Sequence, residues 1–531
     1  MTAKRQTIRH LFGGGFATDF GPNVATSPGA DGTITIPYLL DAENVFFELD
    51  GGPHKIGGTT KLNSSVVNSG NEIRGLCDFW RQGTAGSPTQ KRVIYSGTAI
   101  YADAADGTFA SIKTGLEDDK VPCFTVFNDK LIMSSDSTTD VPLTYDGTNV
   151  TNLGGSPPAF SFSCVHKNHV FAAGVASLPS RLYYSKTLDA ADWSDATAGY
   201  IDIDPNDGDK ITGIASYKDN LWVFKGPYKG SIHRIAGSAN TGSDSWSRIT
   251  FVNKLGAVSH NTIFTFGDDL GFMWSDGSIR SLKATASYGD FNQASLSRPI
   301  AQYLKDHLNL TYLHRAWAAT HVSKNIVVIT LPIDTSTYCN QVLVMDYSRS
   351  PVWWALWPAL NANCVASVVD ASQSNQPILM IGGRDGYVRK TGAATRNIDT
   401  TTNISAKVTT PFMSYGNSLM MKTLANIGVG IAPKGNYTAT IGWSRDSFGL
   451  QSLDVTQGGG DVLGPASANV FTLDSSTLGG SSYTDRYVDP VAGDEFRSAS
   501  FRVTNIGLNE DLELHSISTT IEYGGESLED R

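Results

Sequence analysis

Seven times along this 531-residue chain a polar pair or turn leads into a short, nearly unbroken apolar run. The runs begin at Val93 (VIYSG), Leu131 (LIMSSD), Val170 (VFAAG), Leu221 (LWVFK), Leu270 (LGFMW), Ile326 (IVVIT) and Ile378 (ILMIGG). Their lead-ins include Asn128-Asp129, Lys167-Asn168, Asp219-Asn220, Asp268-Asp269 and Lys324-Asn325. Successive starts lie 38, 39, 51, 49, 56 and 52 residues apart. A four-stranded propeller blade occupies roughly 40–50 residues, so the spacing predicts radial repetition of small sheets. Several units add a strand behind a turn: Gly97 to Tyr101, Gly230 to Arg234, Asp276 to Arg280 and Asp385 to Val388. Run, turn and shorter strand describe consecutive antiparallel strands. The expected fold class is all-β: a β-propeller of about seven blades plus a C-terminal β-sandwich-like domain. Strands missed in 60–73 or 286–320 would move the blade count to between six and eight.

Composition agrees with that class. Charged residues are 17% of the chain and glycines number 53, a balance that favours turn-rich β structure over helix. The net charge is −10 with no Lys/Arg block, which argues against high-affinity nucleic-acid binding but not against DNA passing through a pore. The five cysteines, Cys77, Cys123, Cys164, Cys339 and Cys364, are odd in number and widely spaced. They read as buried thiols in a reducing compartment, with no disulfide framework and no zinc spacing. The N-terminus lacks the apolar core of a signal peptide. No run approaches the roughly 20 apolar residues of a membrane helix, so a soluble chain made in the cytoplasm is expected.

The domain reading follows composition. Residues 1–40 are glycine-rich and read as an extended arm, partly ordered by neighbours, with a flexible joint at Gly13-Gly14-Gly15; residues 41–72 read as a β-hairpin and lead-in. The propeller spans 73–392, a polar linker 393–405, and the sandwich-like domain 406–531, ending in a frayed GGESLEDR tail. The segment 294–309 is the best helix, with Pro299 in its first turn and Ile300, Leu304 and Leu308 on one face. It reads as an insertion between blades.

Few constellations suggest chemistry. Residues 202–209, with Asp202, Asp204, Asn206, Asp207 and Asp209, place oxygen ligands as a calcium loop would, but an EF-hand wants Gly where Asp207 sits and Glu where Gly213 sits. A solvated turn between blades is the plainer reading. Strand alternation does not put the imidazoles of His166 and His169 on one face, so they read as turn histidines. GVGIAPKG, residues 428–435, lacks the P-loop GK[ST] and reads as a glycine-bearing strand. Trp353, Trp354 and Trp357 could stack on a sugar, but an inter-blade aromatic core is the simpler account; Trp193 and Trp274 read the same way. SRDSFG, residues 444–449, misses the sialidase Asp-box spacing by one residue. No catalytic, cofactor or metal residues can be named.

Residues 181–236 resemble the propeller core of tail hub, or nozzle, proteins of short-tailed bacteriophages, the packaged-DNA stabilisation and tail tubular protein B class. The matching features are Tyr183-Tyr184-Ser185, the turn from Asp189 to Trp193, Asp207-Gly208-Asp209, Trp222-Val223-Phe224-Lys225, and Ile232 to Ile235. Residues 43–62 resemble the family's N-terminal signature, except that its Arg-Pro-Gly is here Lys55-Ile56-Gly57. The helix at 299–308, the strand at 326–331, VLVMDYS (342–348) and VWWALW (352–357) also resemble its later blades. The similarity covers roughly 38–392 and weakens beyond. It implies a structural virion component and no enzyme: a hexameric homo-oligomer ring below the portal and adaptor proteins, touching tail fibres or spikes. Double-stranded DNA would pass through it without specific binding, and no cofactor, metal or membrane insertion is implied. The location would be the virion tail, after synthesis in the host cytoplasm. Alternatives are a carbohydrate-binding or polysaccharide-degrading tail propeller, or a bacterial scaffold propeller that binds peptides.

Overall fold

The computed structural model describes residues 4–523 except 50, 83–87, 104–105, 238–245, 289–294, 371–374, 433–434, 436, 447–448, 457–483 and 489–494. By internal contacts the chain divides into two compact units. One comprises Lys61–Val352 and Asn361–Thr391; the other comprises Met1–Thr60, Trp353–Leu360 and Gly392–Arg531.

The first unit is a β-propeller of seven small antiparallel sheets. Four blades have four strands each, opening with Ile73–Arg81, Pro122–Phe127, Phe162–His166 and Lys210–Tyr217. The fifth is Ile263–Phe266, Asp269–Met273 and Ile279–Ser281. The sixth contributes Trp317–His321, Ile326–Leu331 and Gln341–Asp346; the seventh contributes Ala362–Asp370, Gln376–Gly383 and Val388–Ala393. Opening strands of successive blades adjoin one another, and Ala362–Asp370 closes the ring against Ile73–Arg81.

Each apolar run of the sequence is the second strand of a blade. That strand is covered on both faces, because alternate residues point to opposite sides of a sheet and each side meets a different neighbouring blade. Leu131 and Met133 pack with Phe79, Val93 and Tyr95 of the first blade, whereas Ile132 packs with Val170 and Ala172 of the third. Phe171 and Ala173 then join Ile211 and Val223 of the fourth. Trp222 and Phe224 join Leu270 and Phe272 of the fifth. A strand with two buried faces has no polar alternation to display, which is why the runs read as continuous.

The lead-ins are tight turns. Asn128-Asp129 and Lys167-Asn168 have φ between 45° and 63° at both positions, the left-handed pair that a two-residue hairpin requires. In the fourth blade the turn is Lys218-Asp219, one residue earlier than the lead-in suggested, and Asn220 already pairs with Tyr217. The ring is also stitched by the chain entering it: Leu62 donates its N–H to Val388 O, Asn63 Nδ2 donates to Gly386 O, and Val388 donates to Asn63 Oδ1. Between the fifth and sixth blades, Arg298–Ile300 and Ala301–His307 form a helical insertion shorter than the expected 294–309, with Ile300 and Leu304 buried and Leu308 already in extended backbone past its end. No helix among the described residues is long and apolar enough to cross a membrane.

The second unit corrects the reading of the termini. The described residues 4–40 are more than a partly ordered arm: Lys4–Phe12 is an internal strand, parallel to Thr33–Ile36 on one side and antiparallel to Leu514–Tyr523 on the other. Ile8, His10 and Phe12 are buried from one face of it. Gly13-Gly14-Gly15 is no flexible joint either. A Cβ on Gly14 would fall on the carbonyl of Pro37, and one on Gly15 would meet the Trp354 backbone; close packing is what demands glycine there. Leu514–Tyr523 continues to Lys422–Ile431. A second sheet runs from Asp41–Glu43 through Ala406–Thr409 and Ala499–Asn505 to Thr438–Arg445 and Gln451–Thr456. His10 of the first sheet lies 5.9 Å, ring to ring, from Phe501 of the second, so the inner faces meet as a sandwich. This sandwich is built from both ends of the chain and is not a C-terminal domain. Val45–Phe47 and Pro53–Lys55 form its hairpin. Residues 393–405 join this unit rather than link two bodies, with Asn397–Ile398 paired to Thr402–Asn403. The tail from 524 lies outside the described residues.

Candidate functional site

The acidic loop at 202–209 connects the third and fourth blades. Asp204, Asn206 and Gly208 take φ of 41°, 67° and 94°, and this left-handed curl turns backbone carbonyls inward. The result is a cation site whose cation is the protein's own. Lys225, fully buried at the end of the fourth blade's second strand, donates from Nζ to Ile203 O (2.7 Å), Asp204 O (2.9 Å), Asp207 Oδ2 (2.7 Å) and Ser180 Oγ (3.3 Å). Partial burial works to raise the Asp207 pKa, but the Lys225 hydrogen bond and charge outweigh it and hold the carboxyl below the usual range. The other carboxylates are also engaged. Asp202 accepts a bidentate pair from Arg181 at 2.7 and 3.0 Å, and Asp204 pairs with Arg248 at 2.6 Å. Asp209 accepts the backbone N–H groups of Tyr228, Lys229 and Gly230. The calcium spacing in the sequence therefore marks an ammonium clamp between blades.

The rest of 181–236 does similar work. Ser185 Oγ accepts the Val170 N–H. Trp193 donates to Ala190 O at 2.9 Å and lies 5.8 Å from Phe160, in the core between the second and third blades. Ile232 packs toward the fifth blade and Ile235 toward the third.

The two histidines do share a face, contrary to the alternation argument. His166 and His169 are directly paired across the Lys167-Asn168 turn, and cross-strand partners point the same way. Both lie within 6.3 Å, ring to ring, of Phe171 and Trp246. Burial lowers the His166 pKa to about 4, so His166 is a neutral member of this aromatic cluster. Serine–histidine pairs exist, such as Ser216 Oγ at 2.9 Å from His166 Nδ1 and Ser231 Oγ at 2.8 Å from His233 Nε2. Neither has a carboxylate on the far ring nitrogen: Thr250 occupies His233 Nδ1, and His166 Nε2 is buried without a hydrogen bond. Burial pushes the thiols up, Cys77 and Cys339 to about 12 and Cys123 to about 11, so these do not supply thiolate nucleophiles.

A cavity of about 450 Å³ opens in the propeller where the second, third and fourth blades begin, near Cys123, Phe162 and Ile211. Its titratable lining includes Asp136, Lys210, His260 and His314. Burial lowers the His260 pKa to about 4, and the ring stacks on Phe162 at 5.1 Å. Apolar groups such as Phe162, Val175 and Ile211 make up much of the rest of its lining.

Trp274 lies in the core between the fourth and fifth blades. Trp353, Trp354 and Trp357 are also buried; their segment groups with the sandwich unit rather than with the propeller, and Trp357 donates to Val45 O at 2.7 Å. Asp446 of SRDSFG accepts the backbone N–H groups of Arg497 and Ser498, a structural turn; residues 447–448 lie outside the described residues. Residues 428–431 of GVGIAPKG lie in the strand Lys422–Ile431. Sequence reading missed one cluster, His54, Glu513 and His515, whose ligand atoms lie within 4.8 Å of one another. The alternation of Glu513 and His515 was visible, but their partner stands at the other end of the chain.

No family model matches the chain, and no curated protein matches it. Among solved structures, the chain is similar to one described as YCF48 bound to D1 peptide, with 8% identity and a TM-score of 0.38. The match covers 64% of this chain and 95% of that one. So distant a likeness carries no argument about function.

Proposed function

We propose that this chain is a structural component of a bacteriophage tail, a ring-forming hub or nozzle below the portal and adaptor. It closes the DNA channel after packaging and passes DNA during ejection, without a catalytic step. The reading rests on residues 181–236, the stretch that resembles tail hub proteins. Its motif residues Asp207, Asp209 and Lys225 are engaged in holding two blades together, which suits a load-carrying part. A net charge of −10 also suits a wall past which phosphates slide. The partners of this reading are further copies of the chain in a ring, the adaptor, and fibres or spikes. The test is negative-stain imaging and native mass spectrometry of the purified chain, with a search for it in virions. Six-fold rings with a duplex-wide pore are expected. A strictly monomeric chain absent from particles would sink the proposal, and hydrolysis of host polysaccharide by the isolated chain would favour the carbohydrate alternative.

A further inference from the structure

We propose that His54, Glu513 and His515 form a binding site for a divalent transition-metal ion of the zinc class, tying the first hairpin of the sandwich unit to its last strand. Three independent local features bring these residues together. His54 lies in Pro53–Lys55, and forms an antiparallel bridge with Glu513. The adjacent Lys55 N–H donates to Leu512 O at 2.8 Å, fixing the register. Glu513 and His515 are two apart in extended chain, so their side chains leave on the same side, which is also the side of a bridged partner.

The atoms that converge are Lewis bases of a suitable kind. Glu513 Oε1 stands 3.6 Å from His54 Nδ1 and 3.8 Å from His515 Nε2. Those separations exceed a hydrogen bond. They are close to the edge of a tetrahedron, about 3.3 Å, around an ion with bonds of about 2.0–2.1 Å. The imidazoles meet edge-on, with centroids 5.4 Å apart and planes at 74°. The His54 and His515 side chains are 10% and 9% exposed, and Glu513 is 20% exposed. Glu48, at the hairpin end, brings Oε1 within 4.0 Å of His54 Nδ1 and is half exposed. It is placed to supply a fourth oxygen directly or through water. Two imidazoles with one carboxylate, plus an open position, is a donor set that zinc accepts. Calcium and magnesium, which prefer oxygen ligands, are disfavoured.

The inference stands apart from the tail proposal, since it concerns one chain alone. The full-length protein is stripped with EDTA, loaded with zinc chloride, and passed through gel filtration for elemental analysis. One zinc ion per chain should remain, and the unfolding temperature should rise with zinc concentration. Glu513→Gln, close to isosteric, and His515→Gln should each cut retained zinc by roughly tenfold or more; His307→Gln, in the propeller, should not. Cobalt loading of the unaltered chain adds a readout that needs no variant: visible ligand-field bands, lost when zinc is added. Failure of the unaltered chain to retain zinc, or equal retention by Glu513→Gln and His515→Gln, would overturn the site.

Discussion

The propeller and the sandwich are both built of β-strands, but they draw on the chain in opposite ways. Each propeller blade is a contiguous segment, and its core is shared with the next segment along, as where Ile132 meets Val170. The sandwich pairs residue 10 with residue 517 and residue 41 with residue 409. A contact between near neighbours closes a short loop, whereas a contact between the ends must order nearly everything between them. The propeller therefore repeats in the sequence, and the sandwich does not.

The strongest way to break this contrast is to delete residues 1–12. That removes an internal strand from the sandwich, and hydrogen exchange should show lost protection in 422–431 and 514–523 while the second strands of the blades stay protected. Equal loss in both units would mean that the contrast is wrong. Within the propeller, Phe171→Ala empties a fully buried position between two blades and should cost about 3–5 kcal/mol in denaturant unfolding. Lys225→Met should cost about 3 kcal/mol, because it strands Asp207 and two inward carbonyls without their cation. A loss below about 1 kcal/mol would show that the clamp is only solvated surface.

Acid should separate the units more gently. His166, His233, His260 and His321 of the propeller have pKa values lowered to about 4 by burial, and so does His10 in the sandwich. Their unfolded values lie near 6.5, so the unfolded chain takes up protons first. The stability they contribute is complete above about pH 6.5 and is lost as pH falls toward 4. The slope is at most about 1.4 kcal/mol per pH unit for each histidine, and four against one predicts that the propeller loses more. Unfolding curves at pH 7, 5.5 and 4.5, read by exchange in each unit, check this. The smallest expected effect is a gain: Asn168→Gly, at a φ of 63°, should stabilise the third blade by about 0.5 kcal/mol.

How much of this was legible depends on how far each interaction reaches along the chain. The second strands announced themselves because both faces are buried, and Trp193 and Trp274 could be placed between blades because so large an aromatic ring buries a large area. The oxygen spacing of the acidic loop was legible, but the loop read as a solvated turn, because Lys225 lies beyond a turn and a strand and only the fold brings its ammonium back. His166 and His169 were misread because a two-residue turn converts neighbours in sequence into cross-strand partners. Trp353 to Trp357 were rightly read as buried but assigned to the wrong unit.

By itself, the order of residues determined radial repetition of small sheets, six to eight of them, since local repetition with doubly buried strands has few other outlets; the structure fixed the number at seven among the described residues. It also determined the turns, whose left-handed conformations suit Asn, Asp and Gly. Only the tertiary structure decided what the ends of the chain do. Lys4–Phe12 carries buried apolar residues that any sheet could accept, and nothing local says that Leu514–Tyr523 will pair with it. The meeting of His54 with Glu513 and His515 has the same origin: strand pairing across hundreds of residues is chosen by burial and register over the whole unit, a choice that no short stretch of sequence contains.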